Sequence, residues 1–249
     1  MDSLDAQIRQ LRAVVARSRN LVFFGGAGVS TESGIPDFRS ADGLYAQAPA
    51  SHYARTPEEM LSRRFFDRHP DEFYRFYRER VLAPDAQPNA AHRALAALEQ
   101  PAGPLQAIIT QNIDGLHQAA GSHNVIELHG SVWRNFCTDC GRAYTLDYVA
   151  DPVHPVALCQ TCGGIVKPDV VLYQEQLADS DIQRSLEYLQ AADTLIVGGT
   201  SLAVYPAAGL LRAFGGQVLV IINRDPTPSD SCADLVINAP IGQVLSGLQ

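Results

Sequence analysis

The sequence predicts an α/β fold built on a parallel sheet with helices on both faces. Three observations support this class. Short β-rich runs alternate with helical patterns along the 249 residues, each run is nearly continuous in apolar residues, and each ends in Gly, Asn, Thr or Ser. Strands of a parallel sheet read this way because helices bury both of their faces. The expected architecture is Rossmann-like.

The strands are predicted in the runs "NLVFFGG", "LQAIITQN", "TLIVGGTSL" and "QVLVIIN". In open sheets of this class, ligands bind beyond the carboxyl ends of the strands. Since small or polar residues end all four runs, we expect the functional site at that edge. Ahead of the first strand, Leu4, Ile8, Leu11 and Val15 recur at helical spacing and predict an amphipathic helix.

Two segments interrupt the alternation of strands and helices. Residues 41–86 have a helical pattern rich in aromatic side chains, and residues 134–168 hold two pairs of cysteines. We predict that these insertions form a small lobe. The remaining residues, 1–40, 87–133 and 169–249, would form the large lobe of a single catalytic domain that spans the whole chain.

Charge and hydropathy argue against nucleic-acid and membrane partners. The net charge is −8 and no basic run occurs, whereas nucleic-acid-binding domains carry basic patches. The N-terminus lacks the apolar core of a signal peptide. The most apolar run is broken by Gly198, Gly199 and Pro206, which favours turns over a membrane-spanning helix. We therefore expect a soluble, cytoplasmic protein.

Four of the five cysteines have the spacing of a metal site. Cys137 and Cys140 form one C-x-x-C pair, Cys159 and Cys162 form a second, and Gly follows each pair. This arrangement predicts a four-thiolate, tetrahedral zinc site. Four protein ligands leave no open coordination position, so the zinc would be structural. Redox pairs or disulfides are the alternative interpretation, and Cys232 is left over.

A glycine-rich loop, "FFGGAGVSTESGIPDFRS", follows the first predicted strand. Glycines let a backbone approach a phosphate, and a helix beginning at "STESG" would offer free N–H donors. Residues 26–28 alone are a weak dinucleotide signal, because the G-x-G-x-x-G spacing is incomplete and packing also explains such glycines. Asp37, Phe38 and Arg39 add a carboxylate, an aromatic face and a guanidinium, which suit a charged, partly aromatic ligand.

The run "GAGVSTESGIPDFR" resembles the signature of the sirtuins, the NAD-dependent protein lysine deacylases, here of the bacterial deacetylase type. The motifs "TQNIDGLH", "ELHGS", the two cysteine pairs, "VGGTSLAVYP" and "VIIN" follow in the order of that family. The resemblance implies NAD as co-substrate, one structural Zn²⁺ and acetyl-lysine proteins or peptides as partners. The implied reaction transfers the acyl group from lysine to ADP-ribose and releases nicotinamide and O-acetyl-ADP-ribose.

The resemblance also implies which residues bind NAD. Gln111 and Asn112 would reach the nicotinamide ribose, and Asp114 would bind the carboxamide. Asp114 has an alternative role as the N-cap of the following helix. The implied cofactor-binding residues are Gly26, Ala27, Gly28, Thr31, Asp37, Phe38, Arg39, Gln111, Ile113, Asp114, Gly199, Thr200, Ser201, Asn223, Arg224 and Ile241.

His129, in "ELHGS", matches the family's catalytic histidine, and the resemblance assigns Asn112 to catalysis with it. A histidine can act as general base near neutral pH without a large pKa shift. The six other histidines have no such position in a motif.

For the acyl-lysine, the resemblance implies a peptide that lies as a strand between residues 168–175 and 202–206. Val171 and Tyr173 would line the tunnel for the lysine stem. Gln174 stands where the family often has glycine, which puts the details of peptide binding in doubt.

By the same resemblance, residues of the helical insertion indicate which acyl group the enzyme prefers. Family members that prefer succinyl- or malonyl-lysine carry a Tyr-x-x-Arg pair there. Here the equivalent tyrosine is Tyr74, and the third residue after it is Tyr77 in place of arginine. Arg78 comes one residue later, about 100° further around a helix. The resemblance therefore implies neutral acyl groups, acetyl first, unless the two tyrosines only pack the small lobe.

Four other functions stay open at this level. They are a desuccinylase or other deacylase, a mono-ADP-ribosyltransferase on the same fold, a nicotinamide dehydrogenase, and a zinc-ribbon binding module. His129 argues against the transferase, because transfer to a protein acceptor would not need that base. The incomplete glycine spacing argues against hydride transfer, and the acidic charge argues against a nucleic-acid module.

Overall fold

The structure is a computed structural model that describes residues 3–37, 43, 55–202 and 207–248. Within these residues the chain forms nine strands and nine α-helices. The strands are β1 (Leu21–Gly25), β2 (Leu105–Thr110), β3 (Val125–Glu127), β4 (Gly130–Cys137), β5 (Ala143–Tyr144), β6 (Val166–Val170), β7 (Thr194–Gly198), β8 (Val218–Ile222) and β9 (Leu235–Ile237). The helices are α1 (Leu4–Arg17), α2 (Pro57–Met60), α3 (Arg63–Arg68), α4 (Pro70–Phe76), α5 (Ala90–Leu98), α6 (Leu116–Ala119), α7 (Leu146–Ala150), α8 (Asp179–Ala191) and α9 (Ile241–Ser246).

Six strands form one parallel sheet in the order β3-β2-β1-β7-β8-β9. This sheet confirms the predicted α/β fold class. Its register aligns the last residues of the four central strands: Thr110 lies beside Gly25, Gly25 beside Gly198, and Gly198 beside Ile222. The loops that leave these strands therefore start side by side along one edge.

Helices cover both faces of the parallel sheet. Along β1, Phe23 packs in a cluster with residues of α1, α5 and α9, whereas Phe24 packs in another cluster with residues of α8. Both side chains are fully buried. Successive residues of a strand point to opposite faces, so a sheet covered on both sides requires the continuous apolar run seen in the sequence. The predicted N-terminal helix is α1, and Ser3 caps it.

A second sheet, antiparallel and in the order β5-β4-β6, carries Cys137 of the cysteine cluster. One hydrophobic cluster joins this sheet to the helical insertion, with Phe66 and Phe73 packed among residues such as Val149 and Val166. Such a shared core is what a small lobe built from the two insertions requires. Strands β4 and β6 run across the boundaries predicted at 134 and 168, and the division into lobes stays a prediction.

The glycine-rich loop after β1 does not begin the α-helix expected at "STESG". It forms two 3-10 turns, Ala27–Val29 and Thr31–Ser33, and ends at Gly34 with φ +82°. A residue in the left-handed region terminates helical hydrogen bonding, and Pro36 two residues later has no N–H to continue it.

Among the described residues, no helix is long and apolar enough to cross a membrane. The apolar run considered above contributes instead to β7 and to a 3-10 segment, Ala207–Ala213.

Candidate functional site

The carboxyl edge of the parallel sheet carries most of the predicted site. The glycine-rich loop leaves β1, the "QNID" segment leaves β2, the "GTS" segment leaves β7, and Asn223 follows β8. His129 comes two residues after β3, which is the neighbour of β2. Because these strands are adjacent and parallel, the fold brings five separate segments together at one edge.

The segments after β1 and β7 touch through their backbones. Gly28 donates its N–H to the Gly199 carbonyl at 2.8 Å, and Gly26 donates to the Gly198 carbonyl at 3.2 Å. A β-carbon on Gly28 would lie 2.8 Å from Gly199 Cα, so a larger residue does not fit this approach. Packing is therefore one reason for these glycines. Their N–H groups are used within the protein, and a phosphate must find other donors.

A chain of hydrogen bonds links the glycine-rich loop to the "QNID" segment. Asn112 donates from Nδ2 to Ser30 Oγ at 3.0 Å, and Ser30 donates from Oγ to Asp114 Oδ2 at 2.6 Å. The other carboxylate oxygen of Asp114 accepts the Leu116 N–H at the start of α6, at 2.9 Å. The N-cap of α6 is Gly115, so Asp114 is not the N-cap that was one interpretation of it; its bond from Leu116 ties it to the first residue of the helix, and its second oxygen faces the loop. Sequence reasoning did not single out Ser30, since a serine among glycines reads first as a turn residue.

Trp133 is a second residue that sequence reasoning missed. Its indole N–H donates to the Asp114 carbonyl at 2.8 Å. A β-carbon on Gly115, which has φ +74°, would lie 2.8 Å from the indole ring. Trp133 therefore holds the backbone of this loop while Ser30 holds the Asp114 carboxylate. Its signal in the sequence was only that it is the one tryptophan of the chain and follows "ELHGS".

His129 is half-buried and has one orientation. Its Nδ1 lies 2.8 Å from the Gln111 carbonyl oxygen, which can only accept. The proton of the neutral ring is therefore on Nδ1, and Nε2 keeps its lone pair. Burial lowers the pKa of His129, and the hydrogen bond to Gln111 partly opposes that shift. The imidazole is neutral at pH 7 and can accept a proton at Nε2.

Two other histidines are more deeply buried than His129. The rings of His92 and His117 have centroids 4.8 Å apart, and burial lowers the pKa of His92 to about 4 and that of His117 to about 3. The Asn89 N–H donates to His92 Nδ1 at 3.2 Å, which completes the capping box of α5. Burial by itself therefore does not distinguish His129; its place at a strand end does.

The glycine-rich loop is described only as far as Asp37. Ala27 and Asp37 are half-buried, and Thr31 is exposed with its hydroxyl bonded to a carbonyl of its own loop at 3.0 Å. Phe38 and Arg39 lie outside the described residues, and their contacts with NAD stay predictions.

Other predicted NAD residues lie along the same edge with partners of their own. Gln111 donates from Nε2 to Thr200 Oγ1 at 3.3 Å, which joins the ends of β2 and β7 across β1. Asn223 donates from Nδ2 to the Asp225 carbonyl at 2.7 Å. Arg224 is exposed, with its Nε 3.7 Å from the Asp225 carboxylate.

The last three predicted NAD residues differ in exposure. Ile113 is half-buried, and its carbonyl accepts the Val132 N–H of β4 at 3.0 Å. Ser201 is exposed. Ile241 opens α9 and is buried in the same core cluster as Phe23. Ile241 therefore has a packing role whether or not it contacts a ligand.

The segment after β6 connects His129 to the helical insertion. Val171 donates its N–H to the His129 carbonyl at 2.9 Å. Two residues later, Tyr173 donates its N–H to the Leu61 carbonyl at 3.0 Å and accepts the Arg63 N–H at 2.9 Å. The two residues predicted to line a lysine tunnel thus lie between the candidate base and helix α3.

Gln174 takes the backbone conformation that glycine would take at its position. Its φ is +78°, in the left-handed region, and its Oε1 accepts the Arg64 N–H at 3.2 Å. This bond offsets part of the strain of a left-handed non-glycine residue. A glutamine at position 174 therefore keeps the left-handed backbone conformation that a glycine would adopt there. On the opposite side of the predicted peptide groove, residues 203–206 lie outside the described ones.

Tyr74 and Tyr77 are fully buried in the hydrophobic cluster that joins the antiparallel sheet to the helical insertion. The Tyr74 hydroxyl donates to the Val166 carbonyl. Arg78 donates from Nε to the Val149 carbonyl at 2.8 Å, and its guanidinium lies 5.0 Å from the Tyr74 ring centroid. Both tyrosines pack this cluster, which was their alternative interpretation, while the Tyr77 hydroxyl and Arg78 Nη2 are buried without a hydrogen-bond partner among the described residues.

The four predicted zinc ligands converge. The Sγ atoms of Cys137, Cys140, Cys159 and Cys162 all lie within 4.8 Å of one another, and none is in a disulfide. Tetrahedral zinc with Zn–S bonds of about 2.3 Å separates its sulfurs by about 3.8 Å, so this donor set fits the metal. Four thiolates complete the coordination shell, and the site is structural.

The chain matches the Sir2 family over residues 26–206. A curated NAD-dependent protein deacetylase from Clostridium acetobutylicum is 57% identical to it over 239 residues, which is 96% of each chain. A protein of the same name from Cutibacterium acnes is 56% identical over 241 residues, again 96% of each chain.

Solved structures of Sir2 proteins share the fold. A Sir2 variant with a deacetylated p53 peptide and 3'-O-acetyl ADP ribose matches with a TM-score of 0.88 at 37% identity, covering 97% of this chain and 96% of that chain. A Sir2–p53 peptide–NAD+ complex matches with a TM-score of 0.83 at 38% identity, covering 96% and 95%. Sequence motifs, fold and close relatives agree: the chain belongs to the Sir2 family.

Proposed function

We propose that this protein is an NAD-dependent protein lysine deacetylase. It transfers the acetyl group of acetyl-lysine to the ADP-ribose of NAD and releases nicotinamide and O-acetyl-ADP-ribose. The observation that carries the proposal is His129, a neutral imidazole whose Nδ1 is held by the Gln111 carbonyl and whose Nε2 can accept a proton. Relatives at 55–57% identity bear the name of this activity.

NAD binds as a co-substrate along the carboxyl edge of the sheet. Asp114 accepts a hydrogen bond from the nicotinamide carboxamide, and the bonds from Ser30 and Leu116 orient its carboxylate for that role. Gln111 and Asn112 reach the nicotinamide ribose. The phosphates and the adenosine lie against the remaining loops, with Arg39, Thr200, Ser201, Asn223, Arg224 and Ile241 as the proposed contacts.

The reaction requires two functions from the site, substrate positioning and a general base. The first is to hold the acetyl oxygen of the substrate against the anomeric carbon next to nicotinamide, so that the new C–O bond forms as nicotinamide leaves with its bonding electrons. The second is a base. His129 takes the proton of a ribose hydroxyl at Nε2, and the freed oxygen attacks the acyl carbon. Water completes the turnover and lysine is released. The zinc takes part in no step.

The substrates are proteins or peptides that carry acetyl-lysine. We call the segment from Val171 to Tyr173, which runs from His129 to α3, the peptide edge, and we propose that an extended peptide lies beside it. The N–H groups of Val171 and Tyr173 are bonded within the protein, so the peptide must use other backbone groups. Because Tyr74 and Tyr77 are fully buried and Arg78 Nε is bonded to the Val149 carbonyl, we favour acetyl over succinyl groups. Four thiolate ligands require a reducing compartment, which supports a cytoplasmic location.

Mass spectrometry of a reaction with NAD and a mixed library of acyl-lysine peptides tests the proposal. We expect free-lysine peptide, nicotinamide and O-acetyl-ADP-ribose to appear together, with acetyl peptides consumed first. ADP-ribosylated protein without O-acetyl-ADP-ribose would instead indicate a transferase, and a rise in NADH absorbance would indicate a dehydrogenase. Faster removal of succinyl groups would overturn the acetyl preference alone.

A further inference from the structure

A cavity of about 550 Å³ lies beside the proposed peptide edge. We call it the arginine pocket, because Arg55, Arg64 and Arg68 line it together with Tyr173 and Gln174. Tyr173 borders both this pocket and the predicted lysine tunnel. A side chain next to an acetyl-lysine bound there would therefore lie within reach of the pocket.

Two of the three arginines have no acidic partner among the residues that the structure describes. Arg64 and Arg68 are one helical turn apart on α3 and both are exposed, so they present their guanidinium groups on one face. In the part of the chain that the structure describes, neither forms an ion pair. Their neighbour Arg63 contrasts with them, since it lies 2.9 Å from Asp67 and 3.1 Å from Glu175.

Two glutamates also line the pocket, and one of them is already paired. Glu59 lies 2.7 Å from Arg55, whose guanidinium in addition lies 5.0 Å from the Phe65 ring centroid. The remaining charges are Arg64 and Arg68 against the single carboxylate of Glu58. On a protein of net charge −8, this cationic pocket fits an anionic group.

We propose that the arginine pocket binds an acidic side chain of the substrate, an aspartate or glutamate close to the acetyl-lysine. This inference rests on the proposed deacetylase function and names a substrate preference within it. A guanidinium matches a carboxylate through two parallel hydrogen bonds. Gln174 holds the arginine-bearing helix to the peptide edge through its bond to the Arg64 N–H, so the spacing between tunnel and pocket is set by the fold.

The test uses the full chain with NAD and a series of acetyl-lysine peptides. One glutamate is moved through the positions on either side of the acetyl-lysine, and each peptide has a matched glutamine version. At low salt we expect kcat/KM to be about three- to tenfold higher for glutamate at one or more positions, through a lower KM. The glutamate-to-glutamine ratio should fall toward one as salt is added.

Three variants assign any such preference to the pocket. The double substitution Arg64→Gln with Arg68→Gln should bring the glutamate-to-glutamine ratio to about one. The double charge reversal Arg64→Glu with Arg68→Glu should favour peptides with lysine at the same position. Arg9→Gln with Arg17→Gln removes the same two charges from exposed arginines of α1 and should keep the wild-type ratio.

Two results would overturn the inference alone: a ratio of one at every position in the wild type, or a ratio that survives the double substitution to glutamine. If no peptide is deacetylated, the glutamine versions included, the proposed function itself fails and takes this inference with it. The glutamine series thus separates the two failures.

Discussion

The carboxyl edge of the parallel sheet and the cysteine cluster beside the antiparallel sheet are held together by different forces. At the edge, single hydrogen bonds join polar groups on separate loops, as from Ser30 to Asp114 and from His129 to Gln111. Beside the antiparallel sheet, Cys137 and Cys159 belong to a buried cluster of aromatic and aliphatic side chains, and their thiols converge with those of Cys140 and Cys162.

This difference separates activity from stability. A single hydrogen bond on a loop contributes about 0.5–1.5 kcal/mol, so changes at the edge should alter the reaction and leave the fold nearly intact. Metal binding is coupled to folding, so changes at the cysteines should remove both. The predictions below test that separation, from the largest expected effect to the smallest.

The largest effect is expected from Cys159→Ala. Losing one of four thiolates weakens a metal site whose binding free energy in small zinc domains is about 10–16 kcal/mol. Zinc content, melting temperature and deacetylation should all fall together, as measured by metal analysis, thermal unfolding and peptide assay. Cys232→Ala, at an exposed cysteine outside the cluster, is the control and should change none of them. A stable, active Cys159→Ala protein would mean that the cluster is not a structural metal site.

His129→Ala should lower the rate of deacetylation by about 10²- to 10⁴-fold, the usual contribution of a general base. The melting temperature and NAD affinity should stay close to those of the wild type, because His129 is half-buried and its ring makes one hydrogen bond within the described residues. His123→Ala, at an exposed histidine, is the matched control. A fall in melting temperature as large as that of Cys159→Ala would contradict the claim that changes at the sheet edge alter activity and leave stability nearly intact.

The pH profile of kcat/KM should report the same residue. Burial lowers the pKa of His129 below its ordinary value of about 6.5, so the imidazole stays neutral through the neutral range. Once pH falls below that lowered pKa, the protonated ring cannot accept a proton. Activity should then fall by about tenfold per pH unit. An acidic limb centred above pH 7, measured where the protein remains folded, would contradict this assignment.

The smallest effect is expected from Trp133→Phe. The change removes the indole N–H that binds the Asp114 carbonyl but keeps an aromatic ring over Gly115. The loss of about 0.5–1.5 kcal/mol should raise KM for NAD by about two- to twelvefold with little change in melting temperature. Phe136→Leu, at an exposed aromatic side chain of the same strand, is the control. An unchanged KM for NAD would mean that Trp133 does not position the "QNID" segment.

Within the parallel sheet, the four central strands were predictable and the two edge strands were not. Strands β1, β2, β7 and β8 each have five or six residues with a continuous apolar pattern. Strands β3 and β9 have three residues each, too few to show a period. They exist because β2 and β8 offer them a backbone ladder, which is a property of the assembled sheet.

Contacts between residues distant in the sequence were also not predictable within the site. Sequence reasoning reached Asp114 through its motif but missed the two residues that hold it. Ser30 lies 84 positions and Trp133 lies 19 positions from Asp114 along the chain. Neither spacing corresponds to the period of a helix or a strand, so no local sequence pattern predicts these contacts.

By itself, the sequence determined the class of the sheet, the edge where the site lies, the four zinc ligands and the candidate base. The first three follow from residue type, local periodicity and motif spacing, which the chain carries before it folds, whereas the candidate base follows from the resemblance of "ELHGS" to a sirtuin motif. Only the tertiary structure decided which nitrogen of His129 holds the proton and that Tyr74 and Tyr77 pack a core. It also decided that two arginines beside Gln174 face a cavity with no ion pair to any described residue. Protonation, burial and free charge depend on the groups that folding places next to a side chain, and those groups come from distant parts of the chain.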